Sequence, residues 1–215
     1  MRAIYFDCTN GVSGDMVSAA LKELCGFETG AAISEESCGH GHTHRCFADI
    51  REIINKCDIS GAAKEKALSI YKVIAEAEAA VHETNIKNVH FHEVGRNKAI
   101  ENIIGAAVCA DALLADRIFV SEICDGKGSI ECSHGVIPVP VPAVMAMRGK
   151  SSLIFKTDES VRTEMVTPSG LAILIGLGAS YRKEIPEGGI IKKTVAYGAR
   201  ETGRKGGLTA YLTEI

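Results

Sequence analysis

Apolar positions along the chain alternate between strand-length runs and helix-length stripes. Arg2 to Phe6 reads as a short strand, and the turn-rich stretch Asp7 to Gly14 leads into a helix from about Asp15 to Leu24. Phe47 to Cys57 reads as one helix, and Ser60 caps a second that runs to about Glu83. On that second helix Ala67, Tyr71, Ile74 and Ala75 share a face, while Lys64, Lys72 and Glu76 are left to water. A third helix, about Asn97 to Leu114, is apolar along Ile100, Ile103, Ile104, Ala107 and Val108, so it should be largely buried. Its other stripe, Lys98, Glu101, Asn102, Gly105 and Cys109, begins beside His92 and Glu93.

The second half reads differently. Arg117 to Ile123 and Gly128 to Cys132 are expected to be strands joined as a hairpin through Asp125, Gly126 and Lys127. Pro138, Pro140 and Pro142 alternate, and a proline cannot donate to a ladder, so Gly135 onwards should run as an extended polyproline-like stretch into a helix opened by Pro142. Thr167 and Pro168 open an apolar helix to about Leu177, and a last strand falls near Leu208 to Thr213. Together these elements predict an α/β or α+β fold, a mixed sheet packed by several helices.

At 215 residues, 46% of them apolar, the chain can bury a proper core. A single domain, 1–215, is expected, divisible into a helical lobe 1–115 carrying a histidine-rich loop 38–46 and a strand-rich lobe 116–215. A formal net charge of -3, with no basic block, gives no electrostatic reason to bind nucleic acid. Apolar stretches such as Ile103 to Ala110 are too short for a membrane span, and Met1 to Asp7 lacks the segments of a signal peptide. The eight Cys are scattered without CxxC pairs, which fits a reducing compartment, so the protein is expected to be cytoplasmic.

Between Cys38 and Cys46 every second residue is a soft-metal donor: Cys38, His40, His42, His44 and Cys46. Fully extended, successive donors would lie about 6.5 Å apart on one face, too far for one ion, so such a loop must curl or hold several ions weakly. A loop that collects Zn, Ni, Cu or Co for use elsewhere is the functional reading. The segment Val89 to Gly95 supplies a second concentration. In a strand His90 and His92 would point the same way and could serve one ion, with Glu93 adding an oxygen if the backbone turns at Gly95. Cys132 and His134 repeat the alternate spacing.

Two helix starts could hold an anion on free backbone N–H groups: Ser13, Gly14 and Asp15, and Thr167, Ser169 and Gly170. On residue types alone, an ordinary capped helix remains the alternative at both. His82, four residues after Glu78, reads as a surface contact. For a hydrolase built on Cys8 or Ser13, no acid-His-nucleophile order can be argued from the sequence.

The stretches DCTNGVSGDM from Asp7, FADI from Phe47, AEAAVHE from Ala77, VHFHEVG from Val89, SHGVIPVPVPA from Ser133, VTPSGLAIL from Val166 and AYGAR from Ala196 resemble, in order, the LarC family of nickel-insertion proteins. The resemblance covers most of residues 1–20 and 46–200. It implies insertion of nickel into pyridinium-3,5-bisthiocarboxylic acid mononucleotide, a lyase-class reaction that gives the nickel-pincer cofactor. The resemblance supplies the reaction, and position alone suggests the residues: His40, His42, His44, His90, His92 and His134 for the metal, one of the two helix starts for the phosphate, and His90, His92 or Glu93 as the base for the ring proton.

The chain departs from the family where two acidic residues four apart usually follow HFHEVG; Lys98 and Asn102 stand there. The segment Gly26 to Ser37 is shorter than its family counterpart, and the family's later part, associated with CTP and its metal, is not in this chain. Expected partners are therefore the small-molecule precursor and a separate nucleotide-binding chain, with homo-oligomerisation left open. The alternative is a non-catalytic transition-metal-binding protein or metallochaperone derived from that family.

Overall fold

The computed structural model describes residues 1–26, 45–132 and 135–215. Cys38, His40, His42, His44 and His134 thus lie outside the described residues. Strand β1 (Arg2–Asp7) forms the middle of a five-stranded mixed sheet. On one side it pairs antiparallel with β11 (Leu208–Glu214), Ile4 opposite Leu212; on the other it runs parallel to β4 (Arg117–Val120). The outer positions belong to β10 (Gly189–Ala196), beside β11, and β9 (Ser180–Tyr181), beside β4. Ile4 and Phe6 are fully buried, as expected of a central strand.

Helix α1 (Gly14–Cys25) packs on β10 and β11 and also on α4 (Asn97–Ala112). Gly105 of α4 lies where an added Cβ would meet the side chains of Lys22 and Ser18, so the helices approach closely there. The stripe of Lys98, Glu101, Asn102, Gly105 and Cys109 is accordingly split: Gly105 and Cys109 are buried, and only its first turn reaches the surface. Helix α3 (Gly61–Val81) is the hub of the helical layer, touching α2 (Phe47–Lys56), α4, α5 (Pro142–Arg148) and α6 (Pro168–Gly176). Ser60 caps α3 as expected, its Oγ accepting from Ala63 N at 3.0 Å. Gly176 lets α6 sit against the α3 backbone, where a Cβ would fall 2.5 Å from Ile70 Cα. One apolar cluster, from Ile4 to Leu212, draws on both halves of the chain. Among the described residues no helix is long and apolar enough to cross a membrane.

Two expectations are corrected. The hairpin through Asp125 is absent: the chain leaves β4 at Ser121, and β5 (Ile123–Asp125) pairs in parallel with β8 (Phe155–Thr157). The partner of β6 (Gly128–Cys132) is instead β7 (Gly135–Val139). The reason is a rival set of bonds: Ser121 N donates to Phe6 O at 2.9 Å and Cys124 N to Cys8 O at 3.1 Å, which ties this segment to the loop after β1. The proline-rich stretch is also more regular than expected. Pro138 sits within β7, tolerated because that ladder has only two strands.

Candidate functional site

The loop after β1 and the segment entering α6 run side by side. Val12 N donates to Met165 O at 2.9 Å, and Thr167 N donates to Val12 O at 3.0 Å. Glycines make this contact possible: an added Cβ at Gly14 would lie 2.6 Å from Ser169 Oγ, and one at Gly170 would lie 2.6 Å from Ser13 Cα. The two helix starts that looked independent in sequence are therefore neighbours. They border one cavity of about 720 Å³, lined by Ser13, Asp15, Thr167, Glu164 and the loop 197–206, which contributes Arg200 and Arg204. Gly14, Ser169 and Gly170 form the contact between the two starts.

The two starts differ electrostatically. Asp15 already places a carboxylate in the first turn of α1, where it accepts from Ser13 Oγ and, at 3.2 Å, from Ala199 N. Helix α6 has no acid in its first turn; Thr167 Oγ1 accepts from Gly170 N at 3.2 Å and touches Ser169 Oγ at 3.2 Å. An incoming phosphate meets less repulsion at Thr167, Ser169 and Gly170 than beside Asp15.

The HFHEVG segment is a clamped turn. Strand β3 (His90–Phe91) pairs with β2 (Arg45–Cys46), Cys46 opposite His90, so the last donor of the alternate Cys/His string shares a face with the first imidazole of HxH. The strand stops at Phe91, which corrects the expectation that His90 and His92 project alike from one extended strand. Arg45 and Tyr71 impose the turn: Arg45 Nη1 donates to Gly95 O at 2.5 Å and Tyr71 Oη to Val94 O at 3.0 Å. Gly95 is required there, since a Cβ would lie 2.6 Å from Phe91 O. His90 and Glu93 are exposed, and His92 is half-buried. Among the described residues no three His, Cys, Asp or Glu side chains converge as a metal site. His82 makes the surface contact expected of it, 3.5 Å from Glu78.

Sequence reasoning missed Glu164. It is only 5% exposed, lines the cavity, and pairs with Arg200 Nη2 at 3.1 Å. Its carboxyl is pushed up to about 7, chiefly by burial; Arg200 pulls it down, and the negative charges of Asp125 and Glu93 add to the rise. Asp125, fully buried on β5, holds the backbone on either side of this wall, with Oδ1 accepting from Gly126 N at 2.8 Å, Met165 N at 2.9 Å and Val166 N at 3.1 Å. The signal for Glu164 was present: a lone acid next to apolar Met165 and Val166, directly before a helix start.

The raised Glu164 pKa has a consequence for stability. Between pH 4.5, its ordinary value, and pH 7 the folded chain holds more of this proton than the unfolded chain. The stabilisation is complete below that window and is lost as pH rises through 7, an effect on the order of 3 kcal/mol. Melting temperatures across the window should therefore fall less in Glu164→Gln than in the wild type; parallel curves would show that Glu164 titrates normally.

Such a fold, with a loop carrying Arg200 and Arg204 gathered beside paired helix starts, is suited to an anionic small molecule. The chain belongs to the nickel insertion protein family, whose model matches residues 28–214. It is 38% identical over 249 residues to the pyridinium-3,5-bisthiocarboxylic acid mononucleotide nickel insertion protein of Acetivibrio thermocellus, covering 99% of this chain and 60% of that one. The protein of the same name from Lactiplantibacillus plantarum is 38% identical over 261 residues, covering 100% and 62%. Its Akkermansia muciniphila counterpart is 36% identical over 214 residues, covering 82% and 52%. The chain thus spans about three fifths of the length of the first two. No solved structure matches it.

Proposed function

We propose that this chain inserts nickel into pyridinium-3,5-bisthiocarboxylic acid mononucleotide. The observation that carries the reading is that residues 10–16, 164–167 and 197–206, remote in sequence, line one cavity that brings together both helix starts, a buried carboxylate and two arginines. The family membership and the names of the relatives support the reaction. In this reading the precursor's phosphate rests on the start of α6 at Thr167, Ser169 and Gly170, with Ser13, Gly14 and Asp15 closing the other side. Nickel is cargo: His90 and His92 present it, and His40, His42, His44 and His134 gather it. Imidazoles suit a metal that must be released, because a closed thiolate cage would retain it. Glu93 lies on the same turn as the imidazoles of His90 and His92. A nucleotide-binding part or partner chain is proposed to take part in the reaction.

The test is to incubate the chain with nickel salt and the precursor, alone and with CTP plus a separately produced remainder of a relative, and to examine the small-molecule fraction by mass spectrometry. The expected product carries nickel in place of the ring proton. Absence of product in every combination, while an intact relative makes it in parallel, overturns the reading and leaves a metal-binding protein.

A further inference from the structure

We propose that Glu164 accepts the proton released when nickel replaces hydrogen on the precursor's ring, and that Arg200 leaves Glu164 for the precursor's anionic arm as it binds. The inference rests on the proposed nickel-insertion function. The geometry is that of a buried carboxylate on a cavity wall paired with Arg200, which is 46% exposed and belongs to the loop 197–206 that lines the same cavity. Such a guanidinium can exchange one anionic oxygen acceptor for another at little cost.

The chemistry of the precursor fits this placement. A pyridinium substituted at positions 3 and 5 has one ring C–H between its two arms, and that carbon is the one a pincer joins to the metal. An arginine holding the oxygen of one arm leaves the sulfur to nickel. Glu164, whose carboxylate lies 3.1 Å from Arg200 Nη2 until the arm draws the arginine away, then lines the same cavity as the reacting C–H. In the step, the C–H bond breaks, its electron pair forms the carbon–nickel bond with Ni2+, and the proton passes to Glu164 Oε. Nickel stays divalent, and no oxidant or reductant is needed.

The charges around Glu164 favour the direction of transfer. Arg200 faces it from the loop after β10, Asp125 from β5, and Glu93 from the turn after β3. Once Arg200 has turned to the substrate, the two acids remain and the cation does not, so Glu164 becomes more basic when a proton must be taken. Arrival of the arm thus prepares the acceptor. A bystander carboxylate would gain nothing from the same event.

The test uses the full chain and nicotinate mononucleotide, a pyridinium-3-carboxylate mononucleotide without the sulfur, in phosphate-free buffers of different ionisation enthalpy at pH 7.5. Calorimetry should show binding coupled to uptake of about half a proton in the wild type and none in Glu164→Gln. Arg200→Gln should bind the probe more weakly, and without the uptake. In the insertion assay, Glu164→Gln should be slower by about 100-fold and lose the pH dependence near neutrality, with Glu164→Asp between the two and nickel binding unchanged. Equal proton uptake or equal insertion in Glu164→Gln and wild type overturns the inference while leaving the nickel-insertion reading in place. If wild-type chain neither binds the probe nor inserts nickel, that reading fails and the inference falls with it. Melting curves identify any variant that has not folded, and Glu164→Asp then decides.

Discussion

Asp125→Ala is expected to lower the free energy of unfolding by about 4 kcal/mol, read as a shift in the urea midpoint. Oδ1 of this fully buried side chain accepts three backbone N–H groups, from Gly126, Met165 and Val166. Truncation leaves those donors in an apolar setting at about 1–3 kcal/mol each, partly recovered if water enters. Asp125→Asn separates shape from charge. It keeps an acceptor at Oδ1 but puts an amide where Oδ2 has no hydrogen-bond partner in the structure, so it should cost roughly 1–2 kcal/mol. Burial raises the Asp125 carboxyl, offset by the three N–H donors and Arg148, and its negative charge in turn raises Glu164. The Asn variant should therefore lower the Glu164 pKa as well. A loss below 1 kcal/mol in Asp125→Ala would mean that the segment before α6 is held by the Val12 contacts alone.

The second large effect is expected at the HFHEVG turn. Changing His90 and His92 together to Ala should weaken a defined nickel site by at least about 100-fold in calorimetry, since loss of even a supporting residue costs 10–100-fold. The fold should tolerate this: His90 is exposed, β3 is held by backbone pairing, and Arg45, Tyr71 and Gly95 hold the turn. Replacing His40, His42 and His44 should remove only weaker sites. An unchanged isotherm in the His90 and His92 variant would exclude the turn as a metal centre, and with it the route by which nickel reaches the cavity.

Local features of the fold were legible, and long-range ones were not. Helices α3 and α6 announced themselves through Ser60 and Thr167, whose hydroxyls make the caps that their positions predicted. Helix α4 followed from the spacing of Ile100, Ile103, Ile104 and Ala107, all fully buried. The pairing of β5 with β8 could not be read, because the bonds that select it run from Ser121 and Cys124 back to Phe6 and Cys8. For the same reason the two helix starts looked like separate candidates: Val12 and Val166 meet only in three dimensions. Arg45 carries no periodic signal, and Tyr71 was legible only as part of the apolar face of α3, so the bonds that hold the HFHEVG turn could not be read. The apolar neighbours of Glu164 were visible in sequence, but its burial and its pairing with Arg200 come from the fold.

The position of β1 sets the order in which the molecule can become competent during synthesis. Its parallel neighbour β4 is made well before its antiparallel neighbour β11, which brings Glu214 opposite Arg2. On the ribosome the first strand therefore waits with one edge open until Leu208–Glu214 has emerged. The cavity inherits this delay, since its walls come from residues 10–16, 164–167 and 197–206. A nascent fragment can therefore carry the alternate histidines of the sequence long before the cavity has all its walls.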